Sequence, residues 1–285
     1  MLKYQIHKLS KGAREARAVL LEDILTSDVF GLMSYLPYEI LFKPFLEQIQ
    51  IGNPGSDFVV PGSEPLAMHF WKSFVWPENL PKLNRDSIEP DVVVEWPDTL
   101  LVVEAKFISA TDPEELLREY LVGHSEAVGD KKMFLLLIDK NLSQPAVNHH
   151  SKPRKVSVSE YIQNRIKDLD ISESCPPEMV PASILWANWQ SFYTQVETLK
   201  NETLTGVNGS FRSTTDKILD DLLMILDRKG LVPFESFDFG HFAKLTIDLN
   251  SLGKIGQMVN DPIPALSNFN VNLDTLLSRL PLIRN

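Results

Sequence analysis

The chain has one cysteine, Cys175, among 285 residues. A lone thiol cannot close a disulfide within the chain or build a cysteine-based zinc site. No apolar run approaches the roughly 20 residues that span a bilayer. The N-terminal stretch MLKYQIHKLSKGAREARAVL is basic and lacks the apolar centre of a secretory signal. Together these absences predict a reducing, cytoplasmic setting with no membrane partner. A Gly-rich phosphate loop and a G-x-S-x-G elbow are missing, which argues against P-loop and α/β-hydrolase chemistry. The six histidines, His7, His69, His124, His149, His150 and His241, show no H-E-x-x-H or related zinc spacing. His149-His150 falls in a polar loop and is expected to face solvent; His124 is expected on a helix surface. Excess positive charge is absent too. The net charge of −10 argues mildly against indiscriminate nucleic-acid binding, although local patches matter more than totals. Basic clusters occur at Lys3, Lys8, Lys11, Arg14 and Arg17, at Lys131-Lys132, and at Lys152-Pro153-Arg154-Lys155.

What the chain does have is concentrated between Ser87 and Lys106, SIEPDVVVEWPDTLLVVEAK. Two apolar runs, Val92 to Val94 and Leu100 to Val103, flank Pro97-Asp98. Val-rich runs on either side of a Pro-Asp pair read as two strands and a tight turn. With Pro97 and Asp98 as the loop, Trp96 faces Thr99 and Asp91 lies opposite Glu104. Directly opposed residues share a face, with Cβ atoms roughly 5 Å apart. Lys106 projects from the same face two residues on, with Glu89 opposite it. Leu101 to Val103 runs straight into Glu104, as in a strand buried on both faces, where an unpaired carboxylate is costly. That burial argues against a merely solvated Glu104–Lys106 edge pair.

Two carboxylates that close repel unless a cation lies between them. Oxygen ligands of this kind suit Mg²⁺, with Mn²⁺ as a substitute. A lysine on the same face can contact a scissile phosphate or help orient and deprotonate a water. A metal there can polarise a phosphoryl oxygen and generate hydroxide. These are the parts of a phosphodiester-hydrolysing site.

Pro90-Asp91, twelve intervening residues, then Glu104-Ala105-Lys106 resembles the PD-(D/E)XK nuclease superfamily, in particular its bacterial defence-type members. The resemblance implies an α/β restriction-endonuclease-like fold, a mixed central sheet flanked by helices. It implies that Asp91 and Glu104 bind the metal, with the Ala105 carbonyl as a third ligand, and that Lys106 serves the water and phosphate. Leu21 to Gly31 resembles an early helix whose glutamate completes the site in some members; Glu22 is the first choice, with Asp23 and Glu39 behind it. Glu115-Leu116-Leu117-Arg118-Glu119-Tyr120 resembles a Gln-Leu-x-Arg-Glu-Tyr segment on the following helix. Arg118 and Tyr120 match and are implied DNA contacts, Arg118 by a two-pronged phosphate bond; Glu115 departs from the expected glutamine. Trp186-Ala187-Asn188-Trp189 resembles a later strand-to-helix junction whose tryptophan packs on the core. The implied function is metal-dependent hydrolysis of DNA in restriction, phage defence or repair, by a homodimer or with other defence-system proteins. The alternative is a nuclease-fold scaffold in a defence complex, without cleavage.

Periodicity and breakers predict helices over 12–25, 29–35 and 38–50, with Asp23, Thr26, Ser27 and Asp28 available to cap the second. Residues 66–76 read as a strand or a core helix. Asp112-Pro113-Glu114-Glu115 opens a helix to about Val128. Strand 132–139, helix 159–169, strand 183–187 and helix 188–201 follow, an α/β alternation. Leu204 to Ser213 reads as a linker and Thr214 to Lys229 as an amphipathic helix. The expected division is a nuclease-like domain over 1–203 and a helical extension over 204–285. Within the extension, Phe234, Phe237, Phe239 and Phe242 suggest a small core or interface, or a base-stacking surface.

Overall fold

The computed structural model describes residues 15–83, 87–202 and 209–233. The expectations for the basic side chains before residue 20 and for the run of four phenylalanines lie outside its described side chains.

The first helix, α1 (Glu15–Met33), is continuous where the sequence suggested two. Ser27, read as a cap, instead donates its hydroxyl back to the Ile24 carbonyl at 3.1 Å, and Thr26 is fully buried. A hydroxyl that bonds one turn back leaves the helix uninterrupted. Leu25, Val29, Phe30 and Met33 thereby reach one core. Turns at Pro37 and Tyr38 then delay α2 to Phe42–Gly52, which buries Phe42, Phe45, Leu46 and Ile49. The ambiguous segment 66–76 is extended, as β1 (Ala67–Phe70) and β2 (Phe74–Val75). Trp71 between them is left-handed, with φ 49°, a conformation that costs a non-glycine residue energy.

Strands β3 (Ser87–Ile88), β4 (Val92–Glu95) and β5 (Thr99–Ala105) follow. Helix α3 (Pro113–Glu126) opens as its sequence predicts: Asp112 accepts the Glu114 N–H at 3.0 Å, and Pro113 stands in the first turn. Beyond it come β6 (Lys132–Asp139), β7 (Ala146–Asn148), β8 (Lys155–Ser157), α4 (Val158–Asp168), a short α5 (Val180–Ser183), β9 (Ile184–Asn188), α6 (Trp189–Glu202) and α7 (Gly209–Arg228).

Five strands form a mixed central sheet in the order β1-β4-β5-β6-β9. β1, β4 and β5 are antiparallel; β5, β6 and β9 are parallel. Two-stranded ribbons β2-β3 and β7-β8 lie apart from it. Each strand sends alternate residues to opposite faces. Val92, Val94, Leu101, Val103 and Ala105 join a core with α1, α2, α6 and α7. Val93, Leu100 and Val102 join a second core with α3 and α4. Helices on both faces explain why all seven residues of β5 are buried.

Two features fix where α3 lies. Tyr161 and Arg165 of α4 both bond the Glu114 carboxylate, at 2.5 and 2.7 Å. Gly123 faces the sheet; a Cβ there would stand 3.0 Å from Val102 Cγ2 and 3.2 Å from Met133 Cγ. A side chain at that position would need Val102 or Met133 to give by a few tenths of an ångström, or the helix to shift.

Helix α7 begins at Gly209, inside the expected linker. Its Leu219, Leu222 and Leu226 belong to the α1-side core. The chain divides into two units at Ser236–Phe237. Burial of an amphipathic helix face against α1 and α6 draws 209–228 into the first unit.

Candidate active site

The β4–β5 register is the one the hairpin spacing predicts. Val92 pairs with Val103 and Val94 with Leu101, and Trp96 N–H closes the turn onto the Thr99 carbonyl at 2.8 Å. Continuing that register places Asp91 opposite Glu104, and the Ala105 N–H donates to Asp91 Oδ2 at 3.0 Å. By alternation, Asp91 and Glu104 lie on the α3 side of the sheet, with Val93 and Val102. Asp91, Glu104 and Lys106 are 8%, 5% and 8% exposed. The structure therefore brings together the three residues on which the sequence reading centred.

Helix α3 adds two acids that the sequence reading did not place there. Glu115 accepts from Lys106 Nζ at 2.8 Å, and Lys106 also pairs with Glu104. Glu119 is 2% exposed and shares a side-chain hydrogen bond with Glu104. One carboxylate oxygen from each of Glu104, Glu115 and Glu119 lies within 4.8 Å of the others. A signal for this was present. Glu115 and Glu119 are like charges four apart, which destabilises a helix, and Glu119 is the one charged residue among the buried residues of α3.

The electrostatics follow from burial and crowding. Burial, then the Glu104 charge, pushes Asp91 well above the usual carboxylate range, against the Ala105 N–H. Burial also raises Glu104, opposed by Lys106 and reinforced by Glu115. Glu119 is pushed well up by burial and by the Glu104 and Glu115 charges. Burial alone would lower Lys106, but Glu104 and Glu115 outweigh it and raise the ammonium.

Of the upstream acids, Glu22 is turned to a structural task. Its Oε1 accepts the N–H groups of Phe107, Ile108 and Ser109 at 2.8, 2.5 and 2.6 Å, and the Ser109 hydroxyl donates to Oε2 at 2.7 Å. Burial opposes ionisation, yet the Ser109 hydroxyl and the three backbone donors hold the carboxyl below its ordinary value. Glu22 thus fixes the loop directly after Lys106. Asp23, 4% exposed, is the acid whose charge reaches Asp91. Glu39 is exposed and pairs with Lys43.

The implied DNA contacts fare differently. Tyr120 is 1% exposed within the α3–α4 core and stacks on His124; no nucleic acid can reach it there, so that expectation is corrected. Arg118 has an 11% exposed side chain, with Nη2 3.7 Å from Asp112. Its charge also acts on Glu114. His149 is 8% exposed, not solvent-facing, and stacks on His150 at 4.5 Å; His150 is exposed as expected and pairs with Asp168. Trp189 is core, as expected, and its indole also donates to the Lys106 carbonyl at 3.1 Å.

The donor set fits a hard divalent ion. It consists of carboxylate oxygens, converges from the residue before β4, from β5 and from α3, and when ionised carries more negative charge than Lys106 neutralises. No family model matches the chain, and no curated protein or solved structure matches it.

Proposed function

We propose that this protein is a Mg²⁺-dependent DNA endonuclease of the PD-(D/E)XK type, with Mn²⁺ able to substitute, and that its mixed sheet is the restriction-endonuclease-like core. The observation that carries the reading is Asp91 opposite Glu104 on one face, with Lys106 buried beside them. An antiparallel β4–β5 hairpin followed by the parallel β6 agrees with it.

In this reading Asp91 and Glu104 hold the ion, with the Ala105 carbonyl as the further ligand that the family resemblance implies. When bound, the ion supplies polarisation of a phosphoryl oxygen and acidifies a water. Lys106 supplies positive charge at the scissile phosphate, where a pre-positioned cation stabilises developing negative charge. Glu22 and Trp189 position Lys106, one by ordering residues 107–109 and the other by gripping the Lys106 carbonyl. Cytoplasmic DNA restriction, phage defence or repair is the setting that this activity suits.

One observation favours the second reading, a scaffold without cleavage: the Lys106 ammonium is engaged by both Glu104 and Glu115. The test is incubation of the full chain with supercoiled plasmid, linear duplex, single-stranded DNA and RNA, under Mg²⁺, Mn²⁺ or EDTA. Metal-dependent nicking of DNA that Asp91→Asn abolishes is the expected result. Intact substrates under every metal would put the scaffold reading ahead, and cleavage of RNA alone would change the substrate class.

A further inference from the structure

The Asp91–Glu104 pair leaves part of the site unexplained. Glu119 comes from a helix, not from the hairpin, and is almost fully buried at 2% exposure. Its Oε2 has no hydrogen-bond partner among the described residues. An orphaned carboxylate oxygen in the interior is among the costliest groups a fold can carry. Neighbouring buried positions in α3 hold Leu116, Leu117, Leu121 and Val122, so an apolar side chain would suit the packing. Glu119 shares a side-chain hydrogen bond with Glu104, and one of its oxygens lies within 4.8 Å of oxygens of both Glu104 and Glu115.

We propose that Glu104, Glu115 and Glu119 form a second divalent-cation site, with Glu104 shared between it and the site at Asp91. Once an ion displaces the proton shared by Glu104 and Glu119, three carboxylates against one lysine leave two negative charges, which is the charge of one divalent ion. Oxygens on an ion at about 2.1–2.4 Å stand roughly 3.0–4.8 Å apart, cis to trans. The oxygens of this cluster already lie within 4.8 Å of one another. Glu115, 31% exposed along its side chain, gives the site an opening to solvent. Lys106 is then a competitor for the same oxygens and sets how tightly the ion is held.

The proposal rests on the nuclease reading only in sharing Glu104, and it is tested without DNA. Calorimetric titration of the full chain with MnCl₂, with free Mn²⁺ counted by electron paramagnetic resonance, should find two ions per chain. Glu119→Gln, which keeps the shape and removes the charge, should lose one ion or weaken it at least ~10-fold. Glu115→Gln, at a half-exposed position that folding tolerates, should weaken the same ion. Lys106→Met should tighten it, and Asp91→Asn should remove only the other. Mn²⁺ binding by Glu119→Gln and Glu115→Gln with wild-type number and affinity overturns the proposal. If Asp91→Asn removes the single ion present and neither glutamine variant matters, the second site is wrong and the Asp91 site stands. If the glutamine variants lose an ion and Asp91→Asn loses none, the second site stands and the Asp91 reading fails.

Discussion

Glu22 and Glu119 are nearly equally buried, at 5% and 2% exposure, and both stand beside the end of β5. Their surroundings differ. Glu22 receives three backbone N–H groups and a hydroxyl; Glu119 meets two other glutamates and keeps an oxygen without a partner among the described residues. Burial works against ionisation in both, but donors overcome it at Glu22 and repulsion compounds it at Glu119. The loop after β5 is thus a finished structural joint. The α3 face is an unfinished one, and a region of that kind is a candidate binding site.

The largest effect expected from disturbing this contrast lies on the unfinished side. Lys106→Met keeps the stem and removes the positive charge. Single-turnover DNA cleavage should fall at least ~10²-fold, about 2.7 kcal/mol of barrier, with the circular dichroism spectrum unchanged. Cutting at the wild-type rate would show that the lysine is not part of the chemistry.

A smaller effect is expected on the finished side. Glu22→Ala removes four hydrogen bonds to one carboxylate and should cost about 2 kcal/mol in denaturant unfolding, while Mn²⁺ still binds. If Glu22→Ala instead abolished Mn²⁺ binding at unchanged stability, Glu22 would be a ligand and the contrast drawn here would collapse.

The smallest effect is one of sign, read from stability against pH in EDTA. Glu22 has a lowered folded-state pKa, so its contribution is present above the ordinary glutamate value of 4.5. It fades as pH falls through the folded value. Asp91, Glu104 and Glu119 have raised folded-state values, so they favour the fold while protonated. That contribution is lost as pH rises from the unfolded through the folded values. Metal-free stability should therefore decline on both sides of a maximum. Glu119→Gln should flatten the alkaline limb and stabilise the metal-free protein near neutrality by about 1 kcal/mol. Glu22→Gln should flatten the acid limb. An alkaline limb identical in wild type and Glu119→Gln would remove Glu119 from the strained group.

Sequence was most informative where the relevant spacing is local. Period-2 alternation and Pro97-Asp98 were enough to place Asp91, Glu104 and Lys106 on one face, because a tight turn fixes register within a few residues. Asp112-Pro113 likewise announced the start of α3. The hydrogen bonds of Glu22 were not legible because its partners lie some 85 residues away, in a loop whose N–H groups no pattern advertises. Tyr120 was misread because a motif match says nothing about which way a helix is rotated. The continuity of α1 was missed because Thr26 and Ser27 resemble caps when the backbone they bond is unknown. Glu119 was legible in principle, as a charge inside an apolar stripe, but its meaning needed the distance from α3 to the sheet.

That distance has a gauge. Gly123 lies one turn beyond Glu119, four residues on, and so on the same side of α3. The missing methyl group lets the helix settle where Val102 and Met133 would have to give by a few tenths of an ångström to admit a carbon. The separation between the carboxylates of α3 and of β5 is thus inherited from a steric stop, not negotiated among the charges themselves. An electric field at the end of one strand is calibrated by the smallest side chain in the helix, and a methyl group would retune it without touching any charged residue.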